Sequence, residues 1–302
     1  MNKYDLKTPC YILDENEFVH NITCFHKELA LKFENHIIGY SFKTNSLPRL
    51  LQLAKEQGCM AEVVSEDEYC LARKIGFSID KIIYNGPIKT KSSFFEAVYG
   101  GAIVNVDSHR ELEWCRELSP NANIGIRVNF DLESKVPGQT STGNQGGRFG
   151  FCYENGELGK AVEFLCQNKI TINSLHMHVS NASKSTDVYK ELAEMACQII
   201  KEMGLKPDYI DFGGGYFTET LYSLAPSEME EQYKGNVRYS SASTTLKNPI
   251  VLSENTSSYL QYNFQDCFPQ YFCHLPCQNT ELYPPVFPAL FPIEKYRFLN
   301  LR

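Results

Sequence analysis

The sequence predicts an α/β protein built as a parallel (β/α)8 barrel. Three observations predict it. Short β-branched runs alternate with apolar stripes at helical spacing along most of the chain. Eight such runs fall within roughly 220 residues, which suits a closed parallel barrel better than an open sheet. No Gly-x-Gly-x-x-Gly follows the first run, as a doubly wound dinucleotide fold would require.

The predicted strands, in order, are Ile37–Phe42, Ala61–Ser65, Lys81–Gly86, Ala102–Asp107, Ile124–Asn129, Ile172–Val179, Tyr209–Gly214 and Pro249–Glu254. Between them lie helix faces. Leu47, Leu50, Leu51 and Ala54 form one stripe, and Tyr69, Leu71, Ala72 and Ile75 a second. Val188, Leu192, Met195, Ala196, Ile199 and Ile200 form a third. Helix starts are marked by Asn45 or Ser46 before Pro48, Ser65 before Glu68, and Ser108 before Glu111. Ahead of the barrel, Thr8–Asp14 reads as a separate strand leading into a helix from Glu15.

The bulk composition bounds the function. The 302 residues are 43% apolar and 22% charged, ordinary for a globular chain. A net charge of -7 supplies no basic stripe for phosphate backbones, so no nucleic-acid partner is expected. No apolar run reaches the length of a membrane span, and Met1–Asp5 has no signal core, so a cytoplasmic location is expected. Of eleven cysteines, eight stand singly among apolar neighbours and read as buried free thiols (Cys10, Cys24, Cys59, Cys70, Cys115, Cys152, Cys166 and Cys197). Cys267, Cys273 and Cys277 cluster around His274 without zinc-ligand spacing, and no metal is expected.

In a parallel barrel the chemistry gathers at the C-terminal ends of the strands. The predicted ends carry Lys43, Glu62, Asn85, Asp107, Arg127, Asn129, His176, His178, Asp211, Gly213-Gly214-Gly215 and Glu254. Lys43 ends an apolar strand, where burial would lower its pKa and free its amine for a Schiff base with an aldehyde. Alternation puts Gly39, Ser41 and Lys43 on one face, leaving room for a ring. His178, nearer the mouth, reads as an imidazole for a flat ligand; His176, deeper, reads as held by interior partners. Three glycines after the seventh strand let backbone N–H groups approach a phosphate. Arg127 and Arg148 read either as anion ligands or as holders of carboxylates. An amine, a stacking imidazole, phosphate glycines and carboxylates at one mouth are what pyridoxal 5'-phosphate requires.

The chain resembles the fold-type III pyridoxal phosphate decarboxylases, the diaminopimelate, ornithine and arginine decarboxylase group. The segments that carry the resemblance are Thr8-Pro9-Cys10-Tyr11, Tyr40–Asn45, Ala61–Ser65, Ser141–Gly150, His176–Val179 and Asp211–Gly215, in matching order. It covers about residues 5 to 217 and leans toward the diaminopimelate branch. The resemblance implies an alanine-racemase-like barrel with Lys43 as the cofactor's Schiff-base lysine and His178 on its ring. It implies Gly213, Gly214 and Gly215 at the phosphate, Glu62 near the cofactor, and Glu254 as partner of the pyridine nitrogen. Ser180-Asn181 stands where the family has Gly-Ser, and Glu254 lacks the Pro-Gly that follows it there.

The resulting expectation is a decarboxylase of a small amino acid, diaminopimelate or another diamino acid. Lys43 and His178 are its catalytic residues, and Glu62, Arg127, Gly213, Gly214, Gly215 and Glu254 join them around pyridoxal phosphate. The alternatives are a catalytically incomplete cofactor-binding remnant and a pyridoxal phosphate racemase. Residues 1–20 are expected as a strand and lead-in, 21–260 as the barrel, and 261–302 as an aromatic, proline-rich tail without strand alternation. That tail stands in place of the family's C-terminal β-domain and has the composition of a truncated or frame-shifted end. A homodimer is what the resemblance implies, through an interface that includes the domain not seen here.

Overall fold

The computed structural model describes residues 13–138, 149–179, 186–213 and, as backbone, 297–299. The backbone divides into two compact units. Met1–Gly215 with Ala289–Arg302 form the one that contains every described residue. Its elements run α1 (Glu15–Ala30), β1 (Gly39–Ser41), α2 (Pro48–Glu56), β2 (Met60–Ser65), α3 (Glu66–Ile75), β3 (Ile82–Ile88), α4 (Lys91–Tyr99) and β4 (Ile103–Val106). They continue with α5 (His109–Trp114), β5 (Asn123–Asn129), β6 (Phe151–Cys152), α6 (Glu157–Gln167), β7 (Thr171–Met177), α7 (Asp187–Glu202), β8 (Tyr209–Phe212) and β9 (Arg297–Leu299).

The strands form one parallel sheet in the order β1-β2-β3-β4-β5-β7-β8-β9, with β6 beside β5. The sheet is curled. Asn85 on β3 donates a hydrogen bond from Nδ2 to Asp211 Oδ2 on β8 (3.2 Å), although three strands separate them in the sheet order. Side chains can meet across that gap only over a concave face. The barrel-type architecture expected from the sequence is therefore present. The strand expected at Pro249–Glu254 lies outside the described residues. Arg297–Leu299, in the tail from which no strand is expected, runs parallel to β8.

The outer layer follows from the helix stripes. On α7, Val188, Leu192, Met195, Ala196, Ile199 and Ile200 are all buried, on the 3.6-residue period read from the sequence. Burying a side chain of Leu or Ile size contributes about 1.5–3 kcal/mol, so this stripe alone holds α7 to the sheet. Ser65 and Ser108 cap α3 and α5, accepting from Glu68 N (3.3 Å) and Glu111 N (3.4 Å). Each glutamate reaches back in turn, Glu68 Oε2 to Val64 N (2.9 Å) and Glu111 Oε2 to Asp107 N (2.7 Å). These reciprocal bonds resemble capping boxes, and they also brace the strand ends. The start of α2 differs from expectation. Leu47 is its N-cap residue and gives no side-chain cap, while Asn45 Oδ1 accepts from Leu47 N (3.2 Å). Pro48 at the first helical position has no N–H to be capped.

The inner layer is polar. Ser41, Glu62, Asn85, Asn105, Ser174, His176 and Asp211 are all buried. Register places Asn105, Gly125 and Ser174 side by side on β4, β5 and β7. A Cβ on Gly125 would lie 1.8 Å from Asn105 Oδ1, so only glycine leaves room for the asparagine.

Candidate functional site

Strand direction decides which residues share a mouth. The strands are parallel, so Lys43 after β1, Glu62 on β2, Asp107 after β4 and His178 after β7 collect toward one end of the barrel. The sequence expectation placed Lys43 at a buried strand end, and the structure corrects this. Phe42 still pairs with β2, donating its N–H to Glu62 O (3.0 Å), but Thr44 N then bonds back to Ser41 O (3.2 Å). That turn ends the alternation of Gly39, Ser41 and Lys43 and leaves Lys43 exposed.

Beneath the mouth, Glu62 is 3% exposed. Its Oε1 accepts from Asn85 Nδ2 (3.1 Å), and Asn85 Oδ1 accepts from Asn105 Nδ2 (2.7 Å). Glu62 Oε2 and its register neighbour Ser41 Oγ are buried with no hydrogen-bond partner among the described residues. Glu68, at the first turn of α3, is half-buried. Burial raises its carboxyl above the ordinary value and the nearby Glu62 adds to this, while the Val64 N–H and Lys43 pull it down. Glu68 and Lys43 thus share one electrostatic neighbourhood, a role the sequence signals only through the Ser-x-x-Glu spacing.

Arg127 holds a carboxylate. Its Nη1 donates to Asp107 Oδ2 (2.6 Å), and its guanidinium lies 4.9 Å from the centroid of the Phe149 ring. Asp107 Oδ1 accepts from Gly150 N (2.9 Å), so one carboxylate fixes both Arg127 and the segment leading into β6. Next to this pair lies a lysine that the sequence reading did not single out. Lys89 Nζ donates to Glu111 Oε1 (3.2 Å), Asn105 O (3.0 Å) and Gly86 O. Burial lowers the Lys89 pKa, against the opposing pull of Glu111 and Asp107.

The histidines divide as expected by depth. His176 is buried, with Nδ1 2.7 Å from Asp211 Oδ2, a close charge contact off the straight N–H···O line. His178 is half-buried beyond the end of β7, its ring within 14° of parallel to His176 with centroids 6.5 Å apart. Gly213 N donates to Met177 O (2.8 Å), so that amide is committed to the sheet. The expectation of glycine amides at a phosphate then falls on Gly214 and Gly215, which with Arg148, Glu254 and Cys267–Cys277 lie outside the described residues.

Thiols are less buried than the sequence suggests. All seven described cysteines are free, but only Cys59 and Cys115 are buried, and Cys70 and Cys166 are exposed. Apolar sequence neighbours do not report which helix face a cysteine occupies.

Residues 17–259 match the family model described as the pyridoxal-dependent decarboxylase, pyridoxal binding domain. The chain belongs to this family. It is 30% identical over 218 residues to the probable chloroplastic diaminopimelate decarboxylase of Oryza sativa subsp. japonica, covering 69% of this chain and 44% of the relative. It is 30% identical over 217 residues to diaminopimelate decarboxylase of Aquifex aeolicus, covering 69% and 50%. The crystal structure of diaminopimelate decarboxylase from M. jannaschii in co-complex with L-lysine superposes with a TM-score of 0.60 at 26% identity, over 69% of this chain and 51% of that one. The chain thus spans about half the length of the curated relatives it matches. Among the described residues of this pyridoxal-family barrel, no helix is long and apolar enough to cross a membrane.

Proposed function

We propose that this chain carries the cofactor-binding half of a pyridoxal phosphate-dependent decarboxylase that acts on a diamino acid of the diaminopimelate type. One observation carries the reading: Lys43, Glu62 and His178 sit toward the same end of β1, β2 and β7, with the lysine exposed and the carboxylate buried. The donor set fits the cofactor. Lys43 offers an exposed amine, His178 an imidazole face, and Glu62 a buried oxygen with no hydrogen-bond partner among the described residues.

Bound there, pyridoxal phosphate supplies an electron sink for the carbon that loses carbon dioxide. Lys43 Nζ is the amine that would hold its aldehyde. Glu68 lies within electrostatic reach of Lys43, whose charge pulls the Glu68 carboxyl down. His178 would present its imidazole face to a planar ligand at the mouth. Arg127, tied to Asp107, holds the β5 end and the Phe149–Gly150 segment in place. The family resemblance would assign Gly214 and Gly215 to the phosphate and Glu254 to the ring nitrogen, all three outside the described residues. The substrate assignment leans on the relatives named diaminopimelate decarboxylase, one of which is seen with L-lysine, the amino acid left when diaminopimelate loses one carboxylate.

The test is carbon dioxide release by the full chain with added pyridoxal phosphate, offered diaminopimelate, ornithine, arginine or lysine. Release from diaminopimelate, lost in Lys43→Ala, supports the reading. Release confined to ornithine or arginine would move the substrate. Racemization without release, or cofactor binding without any turnover, would remove decarboxylation.

A further inference from the structure

His176 on β7 and His178 just beyond its end are seated by Asp211 on β8 and Gly213 just past that strand. Register pairs His176 with Asp211, and Gly213 follows two residues later, beside His178. Asp211 is 0% exposed. Its Oδ2 lies 2.7 Å from His176 Nδ1, a close contact off the hydrogen-bond line that packs the carboxylate against the ring. Asn85 Nδ2 donates to the same oxygen from across the barrel, which fixes the carboxylate from a second side. At the next inward-facing position, a Cβ on Gly213 would lie 2.4 Å from His178 Nδ1, 2.5 Å from its Cβ and 2.6 Å from its Cγ. The space of the missing side chain is filled by the imidazole. Gly213 is not in a left-handed conformation, so it is the histidine that demands glycine there.

We propose that Asp211 and Gly213 are positioning residues that set the orientation of His178. Asp211 packs against the His176 ring and holds its plane, and His178 lies nearly parallel to that plane. Gly213, just past β8, leaves the space that the His178 ring fills. Gly213 therefore acts through an imidazole, independently of any phosphate contact by the glycines that follow it. The proposal rests on the reading of His178 as the residue that faces the cofactor ring, and the experiment separates the two.

The full chain, free of cofactor and labelled with 15N-histidine, gives imidazole signals from seven histidines. His176→Gln and His178→Gln assign the two that matter. The proposal expects a shift of both the His176 and His178 signals in Asp211→Asn, and a shift of His178 alone in Gly213→Ala. Thermal unfolding adds a cycle that needs no spectrum. Gly213→Ala lowers Tm when His178 is present and has no such effect in the His178→Ala background. With pyridoxal phosphate added, Gly213→Ala weakens binding about tenfold, as His178→Ala does, and the double variant is no weaker than either. Unmoved His178 signals in both variants would overturn the proposal. So would a Gly213→Ala penalty that persists without His178, and this result decides the matter even if Asp211→Asn does not fold. If the cofactor-free results hold while His178→Ala binds pyridoxal phosphate like the parent, the seating stands and the ring-facing reading of His178 fails.

Discussion

Lys89 Nζ lies 3.2 Å from Glu111 Oε1, and neither side chain is exposed to solvent. The pair joins the segment after β3 to α5, and Lys89 also reaches a β4 carbonyl. Each charge is tolerated inside only because the other is there. Lys89→Met leaves a buried carboxylate without its cation and is expected to cost about 3–5 kcal/mol in urea unfolding. Lys89→Met with Glu111→Leu recovers part of that loss. Recovery is incomplete because Glu111 also accepts from Asp107 N.

Glu68 gives a pH dependence whose sign follows from its surroundings. Its carboxyl is raised in the folded state, chiefly by burial. Between the ordinary value of 4.5 and the raised value, the folded protein binds more protons than the unfolded chain. Stability from this group is fully present below 4.5 and is lost as pH rises through the folded value. Glu68→Gln keeps an acceptor for Val64 N–H and removes the charge. It is expected to raise Tm near neutral pH and to leave Tm unchanged below 4.5. In Lys43→Ala, a 13C titration should find the Glu68 carboxyl higher still, because a cation that holds it down is gone.

Gly125→Ala tests the packing of the barrel interior. The added Cβ meets Asn105 Oδ1 and must turn the Asn105 amide, whose Nδ2 donates to Asn85 Oδ1. The expected cost is about 1–3 kcal/mol, read by urea unfolding. Gly125→Ala with Asn105→Ala should cost less than the two single changes added together.

Thiol reactivity should follow exposure. Burial pushes the Cys59 and Cys115 thiols up to about 12, so both lack thiolate at neutral pH. Native protein treated briefly with iodoacetamide should be labelled at Cys70 and Cys166 and spared at Cys59 and Cys115, with all four labelled in denaturant. Labelling of Cys115 in the native state would mean that α5 opens readily.

Periodicity made most of this fold legible. The six α7 residues chosen by spacing are the six that are buried, and Ser65 and Ser108 cap as their positions suggest. The two-residue β6 offers no period to detect. Candidate residues were legible by type and strand position, which brought Glu62, Arg127, His176 and His178 forward. Their partners were not. Asn85 and Asp211 are 126 residues apart and meet only because the sheet curls, while Lys89 after β3 and Glu111 on α5 are 22 apart and meet off the sheet. The exposure of Lys43 depends on one hydrogen bond, Thr44 N to Ser41 O, which β-branched spacing does not encode.

The central claim is that Lys43 is where this chain holds pyridoxal phosphate, and borohydride reduction tests it most directly. The full chain is mixed with pyridoxal phosphate, reduced, digested and mapped by mass spectrometry, with Lys43→Ala alongside. The account predicts a pyridoxyl group on the peptide containing Lys43, and none at any site in the variant. A label spread over several exposed lysines, or one that survives in Lys43→Ala, would contradict it.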